Sequence, residues 1–253
     1  MDYQLNPEFN HLKDFVENVE SHFANGGECI FKVRNEVRVF QEEGTAINVK
    51  AFRVPHFINR IVYSFFRDGK AKRSFIYASR LIEKGASTPA PIAWVNCKKG
   101  GLLGKSYYLS VHLNYDFTLR DVLDDKTDDK QKILEDFAVF TYKELHCNGF
   151  FHLDYSPGNV LITRTESGYK YDVIDLNRME FGPIDYEKGL TNFRQMNYDS
   201  GITEFFARTY ARLNGRSEDE AVERLKFLND EFIRKRNRRQ RIKHYLLFRF
   251  LKK

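Results

Sequence analysis

The alternation of apolar and polar residues in the first half of the chain predicts a small antiparallel β-sheet. The apolar runs are short, rich in β-branched and aromatic residues, and bounded by turn-forming residues. The expected strands are Glu28–Lys32, Val37–Gln41, Ala46–Phe52, Ile92–Val95 and Ser106–Leu113. One amphipathic helix, Lys70–Lys84, interrupts these strands and ends at Gly85, a residue typical of helix C-termini.

After Asn114 the pattern becomes mainly helical. The expected elements are helices at Thr118–Leu123 and Asp128–Cys147, strands at Val160–Thr163 and Tyr171–Ile174, and a helix opened by a Ser217…Glu220 capping box. Thr127 is the predicted N-cap of the long second helix. We therefore predict an α+β chain of two lobes, with a sheet lobe at residues 1–114 and a helical lobe at residues 115–253.

The charge of the chain is concentrated in a C-terminal tail. There are 41 Lys and Arg against 35 Asp and Glu, a formal net charge of +6. Residues 234–253 hold ten of the basic residues and no acidic one, so the rest of the chain carries 31 basic against 35 acidic residues. A basic tail on an acidic body argues against a broad nucleic-acid-binding face, and we expect no nucleic-acid partner.

The basic tail, residues 234–253, has three interpretations. It is a solvated helix end, an RNA contact, which would lack a supporting positive body, or an element that binds an anionic membrane surface. Apolar residues interspersed among the basic ones favour the third, and these are Ile242, Tyr245, Leu246, Phe248, Phe250 and Leu251. The chain has no apolar run of about 18 residues and no secretory signal pattern. Its three cysteines, Cys29, Cys97 and Cys147, have the spacing of neither a disulfide framework nor a metal site, so we expect reduced thiols and a cytoplasmic protein.

The segment from His152 to Asn159, His-Leu-Asp-Tyr-Ser-Pro-Gly-Asn, carries the most specific chemical signal. It places the Asp154 carboxylate and the Asn159 carboxamide on one loop, and Asp175 follows the hairpin. Oxygen ligands of this kind suit Mg²⁺, which keeps part of its coordination for phosphate. The Asp154 carboxylate can also accept a proton from an attacking hydroxyl. Upstream, Lys50 lies in an expected strand, where its ammonium can hold nucleotide phosphates.

Together these residues resemble the protein-kinase-like fold, which has a strand lysine, an H-x-D-x-x-x-x-N loop and a metal-binding aspartate. The resemblance implies ATP and Mg²⁺ as cofactors, with Asp154 as the catalytic base and Lys50 on the nucleotide phosphates. It also implies that Asn159 and Asp175 hold the metal and its bound nucleotide. Ser156 stands where protein Ser/Thr kinases have a lysine, and the Pro157-Gly158-Asn159 ending instead resembles small-molecule kinases of the aminoglycoside type.

Further segments are similar to the bacterial lipopolysaccharide kinase family in their order and spacing, over roughly residues 5–200. They are Gly27–Phe31, Val49–His56, Lys72–Phe75, Gly85–Ala93, Gly100–Tyr108 and Ile174–Met179. This resemblance implies a bilobal fold with a reduced helical C-lobe. It also implies an enzyme that phosphorylates a Kdo or heptose sugar of the lipid-linked lipopolysaccharide core, working at the cytoplasmic face of the inner membrane.

Two features depart from the kinase pattern. The turn between the first two kinase strands, Lys32–Glu36, contains no glycine, and we expect Arg34 to supply charge to the phosphates instead. The helix glutamate that pairs with the strand lysine is replaced by Ile76, and the only acidic residue on that helix is Glu83. Two alternatives therefore stay open, an atypical protein kinase and a nucleotide-binding pseudokinase that serves as a scaffold.

Overall fold

The computed structural model describes residues 1–196 and 199–251, and beyond Ile242 it describes the helical backbone alone. The strands, in chain order, are β1 (Asp2–Leu5), β2 (Glu28–Lys32), β3 (Glu36–Glu42), β4 (Thr45–Phe52), β5 (Pro91–Lys99), β6 (Leu102–Val111), β7 (Phe117–Thr118), β8 (Phe150–His152), β9 (Val160–Thr165), β10 (Gly168–Val173) and β11 (Met179–Phe181). The α-helices are α1 (Lys13–Glu17), α2 (Val19–Asn25), α3 (Phe57–Phe65), α4 (Lys70–Glu83), α5 (Leu119–Leu123), α6 (Lys130–Phe140), α7 (Tyr186–Asn192), α8 (Ser200–Leu213) and α9 (Glu218–Leu251). Short 3₁₀ helices cover Pro7–Leu12, Pro157–Asn159 and Phe193–Met196, and a π-helical turn covers Thr141–His146.

The chain divides into two compact units. Unit 1 contains Met1–Phe117 and Val160–Met179, and unit 2 contains Thr118–Asn159 and the chain from Glu180 onward. The predicted lobe boundary at residue 114 stays a prediction. In this division the β9–β10 hairpin groups with the sheet, although helices flank it on both sides in the sequence.

Unit 1 is built on an antiparallel sheet with the strand order β1-β5-β6-β4-β3-β2. The strands predicted from the alternating pattern are confirmed, as is the helix that now runs from Lys70 to Glu83. The edge strand β1 is not predicted by the sequence, because its four residues are too few to show a period. It forms by pairing with β5, which places Tyr3 opposite Val95.

The alternation of side chains along β4 gives the sheet two different faces. Ile47 and Val49 are buried on one face, against residues of α1 and α2. Phe52 lies on the opposite face and packs against Ala71 of α4. Since every second side chain of a strand points to the same side, Lys50 shares the α4 face with Phe52.

The loop between α4 and β5 fixes the β9–β10 hairpin to unit 1. The Val173 amide donates a hydrogen bond to the Ser87 carbonyl at 3.1 Å, and the buried Thr88 hydroxyl donates to the Val173 carbonyl at 2.7 Å. The two strands of the hairpin are confirmed, with Val160 opposite Val173. This attachment sets the position of Asp175, which lies two residues beyond the last strand.

Unit 2 is helical, and its long predicted helix over Asp128–Cys147 is present with two changes. Its α-helical part begins at Lys130, and its last residues form the π-helical turn. The prediction that Thr127 caps this helix is wrong. The Thr127 hydroxyl is buried without a hydrogen-bond partner among the described residues, and Asp129 occupies the cap position.

Helix α9 contains most of the basic tail. It begins after Ser217, whose hydroxyl accepts a hydrogen bond from the Glu220 amide at 3.4 Å, in agreement with the predicted cap. Lys252, Lys253 and the side chains from residue 243 onward lie outside the described residues, so the membrane contact predicted for the tail stays a prediction. In residues 1–196 and 199–251, no helix combines the length and the apolar content needed to cross a bilayer.

His146 is buried in unit 2 and makes two polar contacts. Its Nδ1 lies 2.8 Å from the Tyr210 hydroxyl, and its Nε2 lies 2.9 Å from Oδ1 of Asn192. Burial lowers the pKa of His146 to about 4, against the opposing effect of the Asn192 hydrogen bond. The unfolded chain therefore binds a proton more readily than the folded protein does, and acid favours unfolding.

From this shift we expect the free energy of unfolding to fall by roughly 2 kcal/mol between about pH 7.5 and about pH 5. Urea titrations at a series of pH values measure the change. His146→Gln removes the titrating group and keeps hydrogen-bonding capacity, so its unfolding free energy should depend less on pH over this range. The same pH slope in both proteins would contradict the expectation.

Candidate active site

Lys50 and Asp175, which are 125 residues apart in the sequence, form an ion pair in unit 1. Lys50 Nζ lies 2.6 Å from Asp175 Oδ1. The two side chains are 17% and 28% exposed, so water screens their attraction only in part. The ammonium also lies 5.4 Å from the centre of the Phe52 ring, on the α4 face of the sheet.

Asp175 adopts a backbone conformation that is uncommon outside glycine. Its φ is +60°, in the left-handed region that Asp and Asn enter more readily than most residues. The buried Asn177 donates a hydrogen bond from Nδ2 to the same Oδ1 that faces Lys50. The carboxylate is therefore oriented by two donors, one on β4 and one two residues further along the chain.

Asp154 and Asn159 lie together on the loop after β8, in unit 2. Asn159 Nδ2 donates to the Asp154 carbonyl at 2.9 Å. The Asp154 amide donates to Nδ1 of His152 at 3.0 Å, and His152 is fully buried. His152 thus orders the loop. Since the Asn159 amide nitrogen is used in the loop, its Oδ1 is the atom left for a cation.

A second set of hydrogen bonds holds this loop from the side of α7 and the 3₁₀ helix that follows it. Asn192 Nδ2 donates to the His152 carbonyl at 2.9 Å, and Gln195 Nε2 donates to the Leu153 carbonyl at 3.1 Å. Asn192 is the residue that also contacts His146. The buried polar network of unit 2 therefore reaches the segment that carries Asp154.

Arg34 lies in the glycine-free turn between β2 and β3, as the sequence predicts. It lines a cavity of about 400 Å³ in unit 1, together with Lys32, Asn35, Phe52 and other residues of the sheet. The Val33 amide donates to the Asn35 carbonyl at 3.2 Å and closes the turn. This turn presents an exposed guanidinium where a glycine-rich loop presents backbone amides.

Lys70, the first residue of α4, is a candidate site residue that the sequence pattern did not indicate. Burial lowers the pKa of its ammonium, Arg34 lowers it further, and the Asp175 carboxylate opposes the shift. Arg73 and Lys50 contribute smaller lowering effects. The Lys70 ammonium thus lies within electrostatic reach of three other cations and one carboxylate, and this imbalance favours an anionic ligand.

The first turn of α4 contains a signal that could have identified Lys70. Its sequence, Lys70-Ala-Lys-Arg73, puts three cations at the positive end of the helix, where cations are unfavourable. Gly69 provides no side-chain cap for this end, and Nε of the buried Arg73 has no hydrogen-bond partner among the described residues. A bound anion would offset the cations at this helix end and would give Arg73 Nε a hydrogen-bond acceptor.

The structure also shows where Ile76 and Glu83 lie, the two residues of α4 that bear on the pairing of Lys50. Ile76 packs against the apolar cluster that contains Phe52, Phe75 and Trp94. Glu83 is exposed at the last position of α4, and the ion pair of Lys50 is made with Asp175. The structure thus brings together Lys50 and Asp175 in unit 1 and, separately, Asp154 and Asn159 in unit 2.

Comparison with solved structures identifies the fold. The chain matches the structure of WaaP in complex with acyl carrier protein, with a TM-score of 0.62 and 18% sequence identity, over 94% of this chain and 99% of that one. The chain has the fold of WaaP. The predicted α+β fold class is thereby confirmed.

Another match is weaker than the one to WaaP. The Rio2 kinase–ADP/Mg²⁺–phosphoaspartate complex from Chaetomium thermophilum aligns with a TM-score of 0.48 and 15% identity, over 88% of this chain and 71% of that one. No family model matches the sequence, and no curated protein matches it. The fold assignment therefore rests on the match to WaaP.

Asp175→Asn tests the ion pair, because it removes the charge and retains a side chain that tolerates a positive φ. We expect the variant to lose about 1–2 kcal/mol of unfolding free energy, since it leaves a partly buried ammonium without its counter-charge. Urea unfolding of both proteins measures the difference. Glu20→Gln, which removes the more exposed pair with Lys105, is the matched control and should change the value by about 0.5 kcal/mol or less. Equal losses in the two variants would contradict a special role for the Lys50–Asp175 pair.

Proposed function

We propose that the protein is an ATP-dependent phosphotransferase that phosphorylates a Kdo or heptose sugar of the lipopolysaccharide core. The observation that supports this most directly is the 2.6 Å ion pair between Lys50 and Asp175. These are the two residues that the kinase resemblance assigns to the nucleotide phosphates and to the metal. The two residues are 125 positions apart in the sequence, and chance alone does not readily explain their contact in a chain with the fold of WaaP.

The residues present fit ATP with Mg²⁺. Asp175 offers a carboxylate and Asn159 offers the Oδ1 left by its loop hydrogen bond, and both are oxygen ligands of the type that Mg²⁺ prefers. Among the described residues there is no group of three or more His, Cys, Asp and Glu side chains able to hold a metal by itself. Bound Mg²⁺ supplies charge neutralisation at the β- and γ-phosphates.

The cations of unit 1 provide the remaining phosphate contacts in this proposal. Lys50 holds the α- and β-phosphates, while Arg34 and Lys70 replace the backbone amides of a glycine-rich loop. Asp154 receives the proton of the sugar hydroxyl as its oxygen attacks the γ-phosphorus, and ADP leaves with the electrons of the broken bond. The products are a sugar phosphate and ADP.

The acceptor is assigned from the order and spacing of the lipopolysaccharide kinase segments. The similarity to WaaP over nearly its full length supports the same assignment. A lipid-linked core sugar and cytoplasmic ATP meet at the inner face of the inner membrane, so we propose that the protein works there as a peripheral enzyme. Mass spectrometry of the lipopolysaccharide core from cells with and without the protein tests the acceptor, through the gain or loss of one phosphate.

A second candidate function is that of a nucleotide-binding scaffold without turnover. Ile76 favours this candidate, because an apolar side chain stands where active kinases have the glutamate that orients the strand lysine. Titration of ATP and Mg²⁺ against thermal stability, together with a turnover assay on core sugars, separates the two functions. Binding without turnover supports the scaffold.

Asp154→Asn tests the assignment of the base. We expect turnover on the core acceptor to fall by about a hundredfold or more, because a positioned proton acceptor is lost. We expect ATP affinity to change by no more than about twofold, since Asp154 does not hold the phosphates. Turnover is measured by ADP release and affinity by calorimetry. Wild-type turnover in this variant would show that Asp154 is not the base.

Lys70→Met tests the proposed phosphate contact on α4. We expect it to weaken ATP binding by about tenfold and AMP binding by much less, because a charge-assisted contact to the terminal phosphates is lost. Lys72→Met is the matched control in the same helical turn, since Lys72 pairs with Asp68 at the surface. If wild-type ATP binding persists in Lys70→Met, the Lys70 assignment is wrong and the phosphotransferase proposal stands on its other residues.

A further inference from the structure

Helix α3 and its flanks carry a patch of large apolar side chains in contact with solvent. Phe57, Ile58, Phe65 and Phe66 are 65%, 75%, 69% and 81% exposed, and Val54 is 41% exposed. We name these five residues the α3 surface. Single exposed apolar residues are ordinary, but five within thirteen positions of the chain indicate a surface that something else covers.

The orientation of α3 is fixed by hydrogen bonds to the β5–β6 hairpin. Arg60 donates from Nε to the Leu103 carbonyl at 2.7 Å and from a terminal nitrogen to the Lys99 carbonyl at 2.9 Å. Ser64, one turn later, accepts from the Leu103 amide at 2.8 Å. The side of α3 that faces the protein is therefore held by polar groups, one helical turn apart.

The apolar stripe of α3 is centred on a different side and is only partly covered, since Ile61 and Val62 are half-buried whereas Ile58 and Phe65 are exposed. Its residues stand at the i, i+3, i+4 and i+7 positions of one helical face, and they are Ile58, Ile61, Val62 and Phe65. At 100° per residue this stripe is centred far from Arg60 and Ser64. A surface helix normally turns its apolar stripe toward the core. Here the polar residues make the anchor, and two members of the stripe, Ile58 and Phe65, are among the most exposed apolar side chains of the described residues.

The charge around this helix indicates what covers it. Residues 53–72 contain five Lys and Arg and one Asp, and among them Arg53 and Arg67 are exposed on either side of the helix. Outside this segment and the basic tail, the chain has 26 basic against 34 acidic residues. Net positive charge thus occurs in these two segments while the rest of the chain is net acidic, and each of the two also has interspersed apolar residues. A second copy of the chain would bring like charges together, whereas an anionic lipid surface is complementary in both charge and apolarity.

We propose that the α3 surface is a membrane-docking element of unit 1. Its Phe and Ile side chains insert among the acyl chains at the bilayer interface, and Arg53 and Arg67 contact anionic headgroups. This inference concerns a different part of the chain from the basic tail, and it holds whether or not the protein transfers phosphate.

Vesicle binding by the full chain tests the proposal without nucleotide. The test variant is Ile58→Glu with Phe65→Glu, and the control variant is Ile82→Glu with Phe227→Glu, two exposed apolar residues at 44% and 51% on other helices. Both variants introduce two carboxylates, so they change the net charge equally. On vesicles with about one-quarter phosphatidylglycerol, we expect the partition coefficient to fall by about tenfold or more in the test variant and by about twofold or less in the control.

A second measurement reports on α3 itself and separates it from the tail. Trp94, the only tryptophan of the chain, is buried, so Phe65→Trp adds an exposed fluorophore on the α3 surface. We expect lipids brominated on the acyl chains to quench this added fluorescence when vesicles bind. Vesicle binding without such quenching, or with equal losses in the two Glu variants, overturns the proposal. Self-association that only the test variant abolishes, with vesicle binding unchanged, also overturns it and identifies an interface between copies.

Discussion

The contact between the Lys50 ammonium and the Asp175 carboxylate is the constraint on which the candidate site of unit 1 depends. It joins the central part of the sheet to a residue that lies beyond the hairpin, and it does so on the face covered by α4. Burying such an ion pair costs free energy, and the pair stabilises the fold only if its geometry is maintained. Here the geometry is maintained from both sides, because Phe52 lies beside the ammonium and Asn177 orients the carboxylate.

The surroundings of this pair are unbalanced in charge. Arg34, Arg73 and Lys50 all act on the Lys70 ammonium, and the Asp175 carboxylate that opposes them is already engaged by Lys50. Proteins that place like charges together without a ligand lose stability to their repulsion. A triphosphate carries the compensating charge and would convert this repulsion into binding. In the proposed function, cationic side chains replace a glycine-rich loop, which exchanges directional amide contacts for stronger contacts of longer range.

Residues whose role depends on a local pattern could be predicted from the sequence. The strands of the sheet appear as alternating runs, and the loop that carries Asp154 and Asn159 appears as a fixed spacing. Features that depend on distant partners could not be predicted. Strand β1 exists because β5 offers it an edge, and Lys70 belongs to the site because α4 brings it near Arg34. The Thr127 cap was mispredicted because a local propensity gave way to the start that tertiary packing sets for α6.

The arrangement of unit 1 has a consequence for how the chain acquires its structure during synthesis. Its sheet is finished when β6 has emerged, but the hairpin that completes the unit is encoded more than forty residues later, after α5 and α6. The nascent chain therefore carries a sheet in which Lys50 does not yet have Asp175 as its ion-pair partner. Closing so long a segment carries an entropic cost that local helices formed in the meantime can reduce. Unit 1 therefore cannot complete its fold until residues encoded among the helices of unit 2 have been synthesised. The two units are linked in folding order as well as in sequence.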